Sequence, residues 1–407
     1  MTPLPIPDEP RYRWVMVFIS ALMCGIGFGL LVSVTVFMKE LEAEFGWMRS
    51  DSSFAYSAGA FMTGLFGIFM GRLVDRISVR PIVFFGALAI GASQLLLSRV
   101  ESLWQLYLFY GLLLGGLGNG AFLVPLMTNA GSWFTRNRGL ALGVVMAGQS
   151  LGGAVIPMAI RAMMSEIGWR ETYLVVGVAA SLILIPVSLL IRTPPGLAAA
   201  RAQSQPGTVN AGGLSPGRLT AILSVAIVFC CICMSIPIIH VFPLALEAGI
   251  APDRAALVLG VLMGVSMVGR VGIARLADTI GGVRSLLLAS GIQTVTIYWF
   301  SQMDGLEGLV TVAAMFAFGY GGVIPSYAII VREKIPLSHV GRVTGTVFFF
   351  GNLGMALGGY LGGVIYVTSG GYPAAYAVGA LAGVVNLIII GSLFLRLRSQ
   401  TSLLQPA

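Results

Sequence analysis

Runs of about twenty apolar residues, separated by short polar turns, recur along the whole 407-residue chain. Each run is long enough to cross ~30 Å of hydrocarbon at a rise of 1.5 Å per residue, so each is read as a transmembrane helix. Twelve such spans are predicted, starting near Trp14, Ser50, Pro81, Leu103, Arg138, Trp169, Arg218, Pro252, Arg284, Leu306, Val340 and Tyr372. The pattern therefore predicts an all-α integral membrane protein. A Pro-rich, polar segment precedes the first span, and no small-residue cleavage site follows closely, so no removable signal peptide is expected. Between Thr193 and Gly217 the apolar pattern gives way to Pro, Gly, Ala, Ser and Gln, the composition of a flexible linker. It divides a six-helix bundle over 1–192 from a second over 218–407, with the linker at 193–217.

Composition agrees: 57% of residues are hydrophobic and 10% charged, where soluble chains carry roughly a quarter charged. The net charge of +8 suggests nucleic acid only until the charges are placed. With loops assigned alternately, seventeen of the 24 Lys and Arg residues fall on one side, six on the other, and Arg270 completes the count. The positive-inside rule makes the richer side cytoplasmic, together with both termini and the linker. Cys24, Cys230, Cys231 and Cys233 all fall within spans, where they read as small apolar packing rather than disulfides or a metal site. No phosphate loop and no paired nucleophile and base are found, so neither ATP-driven pumping, nor an enzyme, nor a cofactor is expected.

Arg270 is the one Lys, Arg, Asp or Glu beyond reach of a membrane surface. A guanidinium stays charged, and holding it in hydrocarbon costs ~2.5 kcal/mol or more, so it marks a functional site or a structural pairing. Its planar, paired donors match the two oxygens of a carboxylate. His240 lies between Pro237 and Pro243 in the seventh span. An imidazole with a reference pKa of ~6.5 suits a proton carrier, and a neutral histidine bonded to a proline-freed carbonyl is the alternative. The prolines are expected to free the carbonyls of Cys233 and Ile239 and to interrupt the helix.

The two halves repeat. Arg72-Leu73-Val74-Asp75-Arg76-Ile77 recurs as Arg275-Leu276-Ala277-Asp278-Thr279-Ile280, displaced by 203 positions, and Arg138 recurs 204 positions on as Arg342. Gly71 to Arg80 resembles the signature loop of the major facilitator superfamily. That resemblance implies twelve transmembrane helices in two pseudo-symmetric six-helix bundles, and a gate motif of Gly71, Asp75, Arg76, Arg138, Asp278 and Arg342. Charges that only fix topology are the other reading of this motif. Glycines crowding the fifth and eleventh spans permit helices to pack closely or to slide.

A narrower resemblance is to the monocarboxylate transporter family, carried by Ser33 to Glu42, by Trp133 to Gly143 followed by Ala147-Gly148, and by Arg270 in the eighth span. It implies a bacterial inner-membrane protein that moves a small monocarboxylate such as L-lactate or pyruvate together with a proton, by alternating access and as a monomer. Two departures stand out: where animal members carry an aspartate one turn before the arginine and a lysine in the first span, this chain has Ser266 and Val32. A lone cation favours a singly charged substrate and shifts the proton to His240. Asn119 and Tyr320, in Gly-rich stretches ahead of Pro125 and Pro325, together with Tyr327, are candidates to bond the substrate; Phe28, Leu31 and Phe349 are candidates for its apolar wall. An exchanger of the oxalate and formate type and a carboxylate receptor that transports nothing are the rivals. The first is expected to need a second intramembrane cation and the second a soluble output domain.

Overall fold

The computed structural model describes residues 12–47, 49–197, 199–200, 214–303 and 305–403. The Pro-rich start and linker residues 201–213 lie outside them. Every regular element among the described residues is helical, as hydrocarbon demands, because a helix satisfies its own backbone polar groups within one segment. The helices are α1 (Tyr12–Val32, continued past Ser33 by Val34–Phe45), α2 (Arg49–Arg76), α3 (Val79–Leu97), α4 (Leu103–Ser132, in pieces), α5 (Arg138–Ile167) and α6 (Trp169–Leu189). Then come α7 (Pro216–Glu247), α8 (Pro252–Ile280), α9 (Gly282–Trp299), α10 (Leu306–Lys334, interrupted at Gly322), α11 (Val340–Ser369) and α12 (Tyr372–Leu403).

Eleven of these are long and apolar enough to cross a membrane. The other, α9, has 18 residues, and Ser285, Ser290, Gln293, Thr294 and Thr296 dilute its hydropathy. All five are buried, and Ser285, Ser290 and Gln293 bond across to neighbouring helices. Ser285 Oγ, for example, donates to the Ile273 carbonyl of α8, and the Gln293 amide donates to Cys230 Sγ of α7 at 3.1 Å. All four cysteines are free and buried.

The chain forms two compact units. One holds α1 to α6 and residues Leu337–Gly345; the other holds α7 to α10 and the chain from Thr346. In the first, α1 packs on α5 where Gly25 meets Gly148: a Cβ at Gly25 would stand 2.7 Å from the Gly148 carbonyl oxygen, so only glycine permits this approach. The second begins with Pro216 at the first helical turn and Ser215 as N-cap, its hydroxyl accepting the Arg218 N–H.

The helix interruptions differ from the expectation. Both Pro237 and Pro243 lie inside an unbroken α7. The breaks fall instead in α4 and α10. In α4, a wide π-helical stretch over Tyr107–Gly118 tightens to a 3-10 turn at Asn119–Ala121, and α-helix resumes at Leu123. In α10 the helix stops at Gly321 and resumes at Val323. Pro125 and Pro325 follow these breaks and cannot donate to the carbonyls four residues earlier.

Candidate functional site

Arg270 lies in α8 with Ser266 one turn before it, and α10 supplies the facing wall. Two glycines bring the helices together: a Cβ at Gly321 would stand 3.0 Å from the Arg270 N, and one at Gly269 would collide with the carbonyl of Phe318. This close approach sets Tyr320 beside Arg270, its hydroxyl 3.9 Å from Met263 Sδ. Ser266 Oγ itself donates to the Met263 carbonyl at 2.7 Å. Among the described residues the guanidinium is left with Nε and Nη1 closed off from solvent and without a hydrogen-bond partner. A cation with two buried, idle donors is a costly arrangement, and an anion is the group that relieves it. Ser266, where the resemblance led us to look for an acid, supplies only a hydroxyl.

His240 belongs to a second cluster in the same unit. Its Nε2 lies 3.0 Å from the Gly359 carbonyl of α11. A carbonyl only accepts, so Nε2 carries the hydrogen and Nδ1 is the ring's acceptor. The partner carbonyl is on another helix, not one freed by the α7 prolines. The imidazole is 5.6 Å from the Tyr372 ring, which is 4.5 Å from that of Tyr366. Tyr366 donates its hydroxyl to the carboxylate of Glu247, two turns along α7 from His240. Glu247 is exposed, so this run of side chains leads from His240 to the surface. Sequence reasoning missed Tyr366 and Tyr372; only the seven-residue spacing of His240 and Glu247 on one helix face hinted at the cluster.

The other expected site residues are dispersed. Tyr327 is fully buried and donates its hydroxyl to Asn386 Oδ1 of α12 at 3.0 Å. The phenol is thus used between helices. Leu31, 3% exposed, packs with Tyr110 around Gly59, so it fills the junction of α1, α2 and α4 rather than a pocket wall. Phe28 is half-buried against Gly153 of α5, and Phe349 is half-buried with its ring 5.8 Å from Phe350. Asn119 is buried at the break in α4, its amide donating to the Leu114 carbonyl at 3.2 Å.

The residues of the expected gate motif divide into different contacts. Asp75 accepts from the backbone N–H of Gly341 at 2.9 Å and of Arg342 at 2.8 Å. A carboxylate here caps the positive end of α11. Gly71 permits the contact, since a Cβ there would collide with the Gly341 carbonyl. Arg138 donates to the carbonyls of Gly131 and Phe134, closing the end of α4. Asp278 lies 3.8 Å from Arg275, while Arg76 and Arg342 are exposed.

Comparison with known proteins fits this geometry. The chain is 26% identical over 401 residues to Monocarboxylate transporter 13 of Rattus norvegicus, covering 97% of this chain and 93% of that one. It is 26% identical over 391 residues to the uncharacterized MFS-type transporter YcxA of Bacillus subtilis, covering 91% and 92%. Among solved structures, a proton:xylose symporter superposes with a TM-score of 0.72 at 12% identity, covering 94% of this chain and 95% of that one. The fucose:proton symporter of E. coli gives 0.69 at 15%, covering 93% and 99%. The family model described as Major Facilitator Superfamily matches residues 14–306 and 221–407, and the chain, a membrane-spanning transporter by its helices and its relatives, belongs to that superfamily.

Proposed function

We propose that this transporter carries a small monocarboxylate, such as L-lactate or pyruvate, together with a proton by alternating access. The observation that carries the reading is the pair of buried, unpartnered donors on Arg270 beside Tyr320 and Ser266. One carboxylate supplies the missing charge and an acceptor for the guanidinium, and the Tyr320 and Ser266 hydroxyls suit a 2-hydroxy or 2-keto oxygen. The similarity to a monocarboxylate transporter along 97% of the chain supports the same substrate class.

In this reading His240 takes a proton on Nδ1, and Asp75 releases the Gly341 and Arg342 N–H groups when the gate opens. The charge distribution supports cytoplasmic termini, and we infer a bacterial inner membrane from the family resemblance. An exchanger of doubly charged anions is the weaker reading: residues 348–366 carry no lysine or arginine to act as a second cation.

Uptake of labelled L-lactate into proteoliposomes tests the proposal. Accumulation driven by an acid-outside gradient is expected; lactate flux only against internal oxalate or formate would select the exchanger. His240→Ala is expected to shift the pH profile of uptake, and an unchanged profile would remove His240 from the proton path.

A further inference from the structure

Where α9 begins and where α10 and α12 end, the second unit has an open cavity of about 310 Å³. This size falls within the range of small-ligand sites. Three cations line it, Arg284 of α9, Lys334 of α10 and Arg398 of α12, with one carboxylate, Glu333. Glu333 is already engaged: its oxygens accept the Gly282 N–H at 3.1 and 3.3 Å, capping the start of α9. Neither Arg284, Lys334 nor Arg398 is ion-paired among the described residues. The Arg284 guanidinium lies 5.7 Å from the ring centroid of Phe394, which holds its planar face against an apolar wall. The cavity thus offers three positive charges against one carboxylate, a net positive lining.

From this geometry we infer that the cavity is a binding site for the phosphate of an anionic phospholipid. Its level fits, because it lies at the ends of membrane-crossing helices, where headgroups are. Its flanks favour a lipid over a free phosphate. Leu288, four residues beyond Arg284 on α9, and Leu395, three before Arg398 on α12, are 42% and 65% exposed. Spacings of three and four residues put each leucine on the face of its charged neighbour. A phosphate held by the cations therefore has exposed apolar surface beside it on which acyl chains can lie. By the charge distribution this is the cytoplasmic leaflet, where anionic lipids attract basic groups. The site is independent of what the transporter carries.

The test is native mass spectrometry of the purified full-length protein, titrated with phosphatidylglycerol and, separately, with phosphatidylcholine. Retention of phosphatidylglycerol over phosphatidylcholine is expected. It should weaken by about fivefold for each cation removed, and on the order of a hundredfold in Arg284→Ala/Lys334→Ala/Arg398→Ala. Arg396→Ala, an exposed neighbour outside the cavity, should retain the lipid as the parent does. Equal retention of both lipids, an unaffected triple variant, or an equal loss in Arg396→Ala would overturn the site. Displacement of the lipid by millimolar inorganic phosphate would overturn the lipid assignment in favour of a soluble anion. If the triple variant does not fold, Lys334→Gln alone reads the same comparison, with about a fivefold loss expected.

Discussion

Replacing Arg270 by Met separates the functional from the structural role of this residue, because the two predict opposite changes in stability. In the protein without substrate, the guanidinium holds two buried donors with no partner. Each unsatisfied donor costs ~1–3 kcal/mol, so an apolar side chain of similar length should stabilise the substrate-free protein by ~2–6 kcal/mol. The same change should abolish transport. A carboxylate oxygen accepting from one of these nitrogens gains ~1.5–3 kcal/mol through the charge-assisted bond, and losing it weakens substrate binding by about one to two orders of magnitude. Thermal unfolding in detergent, with and without L-lactate, reads both effects. The parent should gain about 2.7 kcal/mol of stability at a hundredfold excess over the dissociation constant, and the variant should gain nothing. Arg270→Lys keeps the charge without the paired geometry and should fall between the two in uptake. A melting temperature that drops in Arg270→Met would mean that the guanidinium has a structural partner, and the reasoning from its idle donors would be refuted.

Three further outcomes are expected. Asp75→Asn leaves one acceptor for the two N–H groups of Gly341 and Arg342 and removes the charge, so amide exchange at these positions should rise about fivefold; unchanged exchange would show the cap to be inert. Tyr327→Phe should cost about 1 kcal/mol of stability through the lost bond to Asn386 and leave the KM for lactate unaltered, whereas a KM change at full stability would return Tyr327 to the substrate site. Hydrogen bonds from Arg170 and Trp169 hold the Glu44 carboxyl below the usual carboxylate range. A lowered folded pKa means that this tie, with Glu44 to Arg170 at 2.7 Å, is present above the ordinary value of ~4.3 and is lost as pH falls through the folded one. Glu44→Gln should remove that part of the acid sensitivity of the melting temperature.

The helical spans and the lone charge of Arg270 were legible in the chain because hydrocarbon imposes a local rule: each segment must satisfy its backbone and hide its charges by itself. The 203-residue displacement of the Arg72 and Arg275 motifs marked the duplication for the same reason, since it needs only sequence. The site was legible in part. Arg270 and Tyr320 come together as candidate partners, but Tyr327 and Leu31, equally plausible as letters, turn into the interior of their bundles. A twenty-residue apolar run does not say which of its faces meets a neighbour. The helix breaks show the same limit: the prolines of α7 leave it continuous, while Asn119 and Gly322 mark the real interruptions, where the chain could rebuild its hydrogen bonds through a π-helical stretch or a glycine.

What the sequence determined by itself was the solvent of each segment, and with it the membrane, the helices and the cost of one buried cation. The tertiary structure decided which donors have partners. Tyr327 found Asn386, His240 found the Gly359 carbonyl, Asp75 found the start of α11, and the Arg270 nitrogens found none. Burial depends on the composition of a run, whereas satisfaction of a polar group depends on atoms brought by other helices, and only packing supplies those.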